Sequence, residues 1–226
     1  MSEKLETYDK AQKTFLQNVS HEFRTPLMSI QGYAEGIKYN VVESSSSADI
    51  IIGETKRMTN LVEDLLYLSR LDAIEENYHS NYFDFNKLII SCIERMNGVA
   101  LKSNIKILTE IKDEKICIHA DEEKLSRAIT NIMSNCLRYA ETYVKIASRV
   151  IDDNELELTV SDDGPGFNEY ELQNIFDRFY IGQNGNYGLG LSISKNVIEK
   201  LHGKIIAKNS VSGALIIILL PVNSFS

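Results

Sequence analysis

Apolar spacing in the N-terminal third constrains this chain most. Leu16, Val19, Phe23, Ile30, Tyr33 and Ile37 recur at three- and four-residue steps, marking one buried seam along a long helix over residues 3–40. Pro26 lies inside it and is expected to kink it, because proline removes a backbone donor and crowds the preceding turn. Residues 41–47, with four consecutive serines, read as a polar turn. Ile51, Met58, Leu61, Leu65 and Leu68 then repeat the spacing over 48–71, though Glu54 occupies a seam position. Two helices of this length joined by a short turn must lie antiparallel. One hairpin cannot bury both seams fully, whereas two can. A homodimer joined as a four-helix bundle is therefore expected; the alternative is that the hairpin packs on the rest of its own chain.

Residues 73–81 (AIEENYHSN) are polar and aperiodic, and read as a linker. The stretch 76–81 divides a first domain over 1–75 from a second over 82–226. Beyond it the period changes. Short β-rich runs at 105–111, 116–119, 143–150, 156–161, 205–208 and 215–220 alternate with helical stretches at 86–102, 121–139 and 189–201. Hairpin spacing falls across 152–154. The pattern indicates an α/β sandwich with a mixed sheet.

The net charge of −8 divides evenly between residues 1–75 and the remainder, so neither half has the basic excess of a nucleic-acid binder. Cys92, Cys117 and Cys136 are odd in number and lack metal-site spacing, which suits reduced thiols in a cytoplasmic protein. The longest apolar stretch, 214–220, is strand-sized rather than membrane-spanning.

Four stretches have the residue types for chemistry, and each alone has a plainer reading. If Leu16 and Phe23 take heptad position a, His21 falls at f, facing water with Glu22 beside it: a candidate nucleophile, or an ordinary surface histidine. Asn131 and Asn135 are four apart and share a helix face, with Arg138 and Tyr139 one turn on. Amide oxygens suit magnesium, which often keeps phosphate oxygens among its ligands; local capping would explain the pair equally well. Asp162-Asp163-Gly164-Pro165-Gly166-Phe167 follows a strand. A carboxylate there could accept from an exocyclic amine such as adenine's, or the run could be a tight turn. Phe176, Arg178 and Phe179 precede a glycine-rich segment ending in Gly188-Leu189-Gly190, which opens a helix and could bind phosphate through free N–H groups. The two phenylalanines could equally be core residues. This is not a Walker loop, since no Gly-Lys-Ser/Thr occurs there.

In this fixed order the chain resembles a sensor histidine kinase over residues 10–222. HEFRTPL looks like the H box, NIMSNCLRYA the N box, DDGPGF the first glycine box, IFDRFY the F box and GLGLSIS the second glycine box. The resemblance implies an all-α dimerisation and phosphoacceptor hairpin followed by a Bergerat-type α/β sandwich that binds ATP with Mg2+. It also implies a response regulator receiver domain as partner, and upstream signal-receiving segments, often membrane-bound. Residue by residue, His21 matches the phosphoacceptor, Glu22 its acid/base partner, and Thr25 the residue implicated in dephosphorylating the regulator. Asn135 matches the magnesium ligand, with Asn131 one turn before it; Arg138 and Tyr139 match positions near the nucleotide. Asp162 matches the adenine-reading aspartate. Gly164, Gly166, Gly188 and Gly190 match the loop glycines.

The lid departs from the family pattern. Only Ile181 to Tyr187 separate the F box from Gly188, none is basic, and Asn186-Tyr187 stand where Gly-Thr is usual. Arg178 is the expected substitute for the missing charge, unless lid residues have been removed. The expected function is autophosphorylation on His21 Nε2, with Glu22 accepting from Nδ1–H, and transfer to a regulator's aspartate. The alternatives are another ATPase of this nucleotide-binding fold, or a non-catalytic dimeric scaffold.

Overall fold

The computed structural model describes residues 2–72, 79–112, 115–152, 155–182 and 187–222, with side chains of the first helix described from Lys13 onward. Helices α1 (Ser2–Lys38) and α2 (Ser44–Asp72) form the expected antiparallel hairpin. Helix α1 runs through Pro26 as a single helical span. Helix α2 begins earlier than the sequence suggests. The serine run is its first turn rather than a loop, with the Ser47 N–H donating to the Glu43 carbonyl. Serine hydroxyls suit an N-terminal turn, where backbone groups lack helical partners.

Among the described residues, the rest comprises α3 (Phe85–Lys102), α4 (Glu122–Tyr139), the short α5 (Glu169–Asn174) and α6 (Gly190–Lys200), with seven strands. Strands β2 (Lys106–Ile111), β4 (Tyr143–Asp152), β5 (Glu155–Asp162), β6 (Lys204–Asn209) and β7 (Ala214–Pro221) make a mixed five-stranded sheet in the order β2-β4-β5-β7-β6. Only β2 and β4 are parallel. Strands β4 and β5 pair as expected; residues 153–154 between them lie outside the described residues. Side chains on β5 alternate buried and half-buried, so one face of the sheet takes the helices. Beneath it, Ile129, Ile132 and Met133 of α4 pack with Leu156, Leu158 and Val160 of β5.

Two elements escaped the sequence reading. Asn81, assigned to the linker, belongs to β1 (Asn81–Asp84), which pairs antiparallel with β3 (Cys117–Ala120). Linker residues 73–78 lie outside the described residues. Helix α5 is opened by a capping box between Asn168 and Glu171. That four-residue pattern was a legible signal for it.

The hairpin does not stand apart. Leu61 and Leu68 are almost wholly buried, in a cluster with Ala128, Tyr187, Leu189, Ile193 and Val197. These two α2 seam positions are covered by the chain's own α/β unit, the alternative the sequence left open. A three-four spacing marks a face to be buried but not its cover. Arg127 of α4 donates to Asp64 of α2 at 2.7 Å and stacks over the Tyr67 ring, 3.9 Å from its centroid. Phe15 of α1 meets Phe179 edge-on at 5.3 Å.

Candidate functional site

His21 sits midway along α1 and is exposed, as its heptad position implies. It borders a shallow open recess with Leu16, Gln17, Asn18, Ser20 and Arg24. Glu22 is half-buried and makes no hydrogen bond with His21 among the described residues. Neighbouring helical positions leave the axis about 100° apart, so the two side chains point in different directions. Thr25 is exposed. Its hydroxyl does not bond back to the preceding turn, whereas Thr55 and Thr59 donate to the Ile51 and Thr55 carbonyls.

The second centre is a cavity of about 340 Å³, within the range of small-ligand sites. Asn131, Asn135, Arg138, Tyr139, Asp162, Gly166, Gly188, Leu189 and Gly190 all line it, so three separate motifs converge here. Helix α4 brings the first four. Its N-cap Asp121 accepts from the Lys124 N–H, and its last turn carries Arg138. The Asn131 Nδ2 donates to the Gly190 carbonyl at 3.2 Å, tying α4 to the start of α6. The Asn135 carboxamide also faces the cavity and has no hydrogen-bond partner among the described residues. Its oxygen is therefore open to a hard cation, and the residue fits a magnesium ligand.

Asp162 ends β5 and is buried, accepting from the Gly164 N–H at 3.0 Å and the Ala214 N–H at 3.3 Å. Burial raises its pKa, while these bonds and the Cys136 thiol oppose the rise. Burial also pushes the Cys136 thiol well up, with Asp162 adding to it. Gly164 lies outside the cavity lining but has a steric reason to be glycine: a Cβ would stand 2.1 Å from the Tyr139 carbonyl oxygen. Asp163 lies outside the cavity lining and holds the start of the neighbouring strand β4. Burial pushes its carboxyl up, but the Thr142 hydroxyl and the N–H groups of Thr142, Tyr143 and Glu141 bring it down to about 2.

Gly188 has φ of +66°, and a Cβ there would meet the Tyr180 carbonyl oxygen at 2.3 Å. The Phe179 N–H donates to the Gly188 carbonyl, joining the F box to the glycine loop. The two phenylalanines are packing residues: Phe176 against the main core and Phe179 against the hairpin cluster. Arg178 is exposed and outside the cavity lining, so the charge expected of it is not delivered there. Lid residues 183–186 lie outside the described residues.

Sequence reasoning missed one wall. Arg57, Asn60, Glu63 and Asp64 of α2 line the same cavity. Arg57, Asn60 and Asp64 form a polar stripe at helical spacing, a signal as readable as the apolar seam. Tyr187 also lines it, 4% exposed, under the Arg57 guanidinium at 5.0 Å. Burial raises the Tyr187 pKa, Arg57 opposes, and Glu54 and Glu22 raise it further.

The chain matches two known families. Residues 11–74 match the His Kinase A phosphoacceptor domain. Residues 120–224 match the histidine kinase-, DNA gyrase B- and HSP90-like ATPases. It is 30% identical over 225 residues to the sensor histidine kinase CssS of Bacillus subtilis, covering 98% of this chain and 49% of that one. The chain thus spans about half the length of that relative. Histidine kinase ThkA, solved with the response regulator protein TrrA, superposes at a TM-score of 0.79 and 23% identity, covering 93% of this chain and 61% of that one. Full-length ShkA with AMPPNP gives 0.71 and 24%, covering 94% and 47%. At these identities the structures speak for the fold. Among the described residues, no helix is long and apolar enough to cross a membrane.

Proposed function

The chain belongs to the sensor histidine kinase family, and from that premise we propose that it binds ATP with magnesium in the α4–α6 cavity, phosphorylates His21 and passes the phosphoryl group to a response regulator aspartate. The carrying observation is the convergence of Asn135, Asp162, Gly188 and Gly190 on one cavity, in a chain whose hairpin exposes His21. The buried Asp162 carboxylate accepts from the adenine amine, and the N–H groups opening α6 receive the phosphates. Magnesium, held at Asn135, would neutralise phosphate charge during transfer. The Nε2 lone pair of His21 attacks the γ-phosphorus, the bond to the β-bridging oxygen breaks, and ADP leaves. Glu22 holds the Nδ1 proton, after rotating toward the ring.

His21 does not line the nucleotide cavity. Transfer therefore requires the α/β unit to swing away from the Arg127–Asp64 contact, or the acceptor to be His21 of a second copy. A homodimer is part of this proposal. Exposed Leu16, Leu27 and Met28 on α1, with Ile52, Val62 and Leu66 on α2, leave apolar surface for a second hairpin. ThkA was solved with a response regulator and ShkA with AMPPNP, which supports both the partner and the nucleotide. The unbonded Thr25 hydroxyl supports a further role, orienting a water against the regulator's aspartyl phosphate. Signal reception, and membrane attachment through segments outside this chain, belong to the same proposal for the longer protein.

Incubation with γ-labelled ATP tests the reading. The parent takes up label that is lost in acid and kept in base, as a phosphoramidate requires, and His21→Ala takes up none. Base-labile label, or label on the variant, refutes the assignment.

A further inference from the structure

We propose that Arg57, reaching in from α2, holds the terminal phosphate of the bound nucleoside triphosphate and so supplies, from the hairpin, the cation that the lid lacks. The inference rests on the nucleotide reading above and adds a residue outside every motif of the ATP-binding unit.

A polyphosphate needs positive charge around it, and residues 181–187 contain no Lys or Arg. Three arginines line the cavity: Arg57, Arg127 and Arg138. Arg127 is committed, paired with Asp64 at 2.7 Å and stacked on Tyr67. Neither Arg57 nor Arg138 forms an ion pair with a carboxylate among the described residues. Their charges also feel each other. Burial lowers the Arg138 pKa, Tyr139 opposes this, and Arg57 lowers it again. Two unpaired guanidinium groups converging on one cavity repel until an anion comes between them.

Position within the cavity selects the terminal phosphate. Asp162 marks the adenine end, and the glycines opening α6 mark the phosphate end. Arg57 lies over Tyr187, the residue directly before Gly188. It projects from α2, whose Asn60, Glu63 and Asp64 line the same wall of the cavity. Arg57 therefore stands at the glycine-loop end of the cavity, opposite the Asp162 end, where the terminal phosphate of a nucleotide so oriented would lie. The acidic lining residues Glu63 and Glu171 would repel phosphate, which raises the need for this cation.

Calorimetry on the full 226-residue chain decides it, with magnesium present and AMPPNP and ADP as probes. Arg57→Gln should bind AMPPNP about tenfold more weakly, the loss of one charge-assisted contact. ADP affinity should change by less than about twofold, and Arg57→Lys should restore AMPPNP binding to within about threefold of the parent. Equal losses for both nucleotides would make Arg57 a packing residue over Tyr187 and overturn the assignment, as would no loss for either. A parent that binds neither nucleotide refutes the ATP reading and this inference with it. A parent that binds both, with no AMPPNP-selective loss in Arg57→Gln, refutes the role of Arg57 alone.

Discussion

Removing Arg127 should destabilise the molecule far more than neutralising its partner. The Arg127–Asp64 contact is 2.7 Å long, with the two side chains 33% and 27% exposed. Screened to that degree, the pair contributes about 1 kcal/mol. The guanidinium over Tyr67, 3.9 Å from the ring centroid, adds about 0.5–1 kcal/mol. Arg127→Ala also leaves the half-buried Asp64 carboxylate without its partner, costing about 1 kcal/mol more. The sum is about 2.5–3 kcal/mol. Asp64→Asn keeps an acceptor for the guanidinium and relieves the cost of a buried charge, so it should cost about 1 kcal/mol or less. Equilibrium urea unfolding at pH 7 measures both. The pH dependence has a definite sign. Burial raises Asp64 above its ordinary 3.8, with Arg127 opposing. A raised carboxyl favours the folded state most when protonated, and that advantage fades as pH rises through its folded pKa. Removing Arg127 raises it further, so the penalty of Arg127→Ala should shrink as pH falls toward 4. Equal costs for the two substitutions, or a penalty independent of pH, would refute the reasoning.

Four other substitutions address the site and the assembly. Asp162→Asn should weaken ATP binding by about tenfold or more, because the amide can present a donor to the adenine amine, while Asn135→Ala should chiefly impair magnesium-dependent transfer; unchanged calorimetric affinity in the Asp162 variant would contradict the adenine assignment. Thr25→Ala should keep autophosphorylation and transfer but slow dephosphorylation of the regulator, and parallel losses of all three activities would return Thr25 to a purely helical role. Ile30→Asp should place a charge on the hairpin seam at a cost of about 3–5 kcal/mol and yield monomer or unfolded chain by light scattering; an unchanged dimer would move the interface to another face.

Periodicity and motif order carried much of this molecule in one dimension. Three-four spacing marked both hairpin helices, because a helix buries one stripe whatever covers it. Alternating runs marked five strands of the larger sheet, and the boxes around Asn135, Asp162 and Gly188 were legible because nucleotide chemistry restricts residue types locally. Strand β1 was not legible: NYFD is four residues long, with two residues exposed and two half-buried, and is defined by its pairing with β3. The exposure of His21 followed from its place in the heptad. Its separation from the nucleotide cavity did not, since no local pattern sets how two units dock. Docking likewise turned Leu61 and Leu68 toward Tyr187 and Ile193, paired Asp64 with Arg127, and brought Arg57 to a site whose lid has no cation. A sequence specifies which face of an element must be covered and which side chains can do chemistry. Which distant surface supplies the cover, and which arginine reaches the phosphate, depends on shape and charge complementarity between segments more than fifty residues apart, and only the tertiary structure decided them.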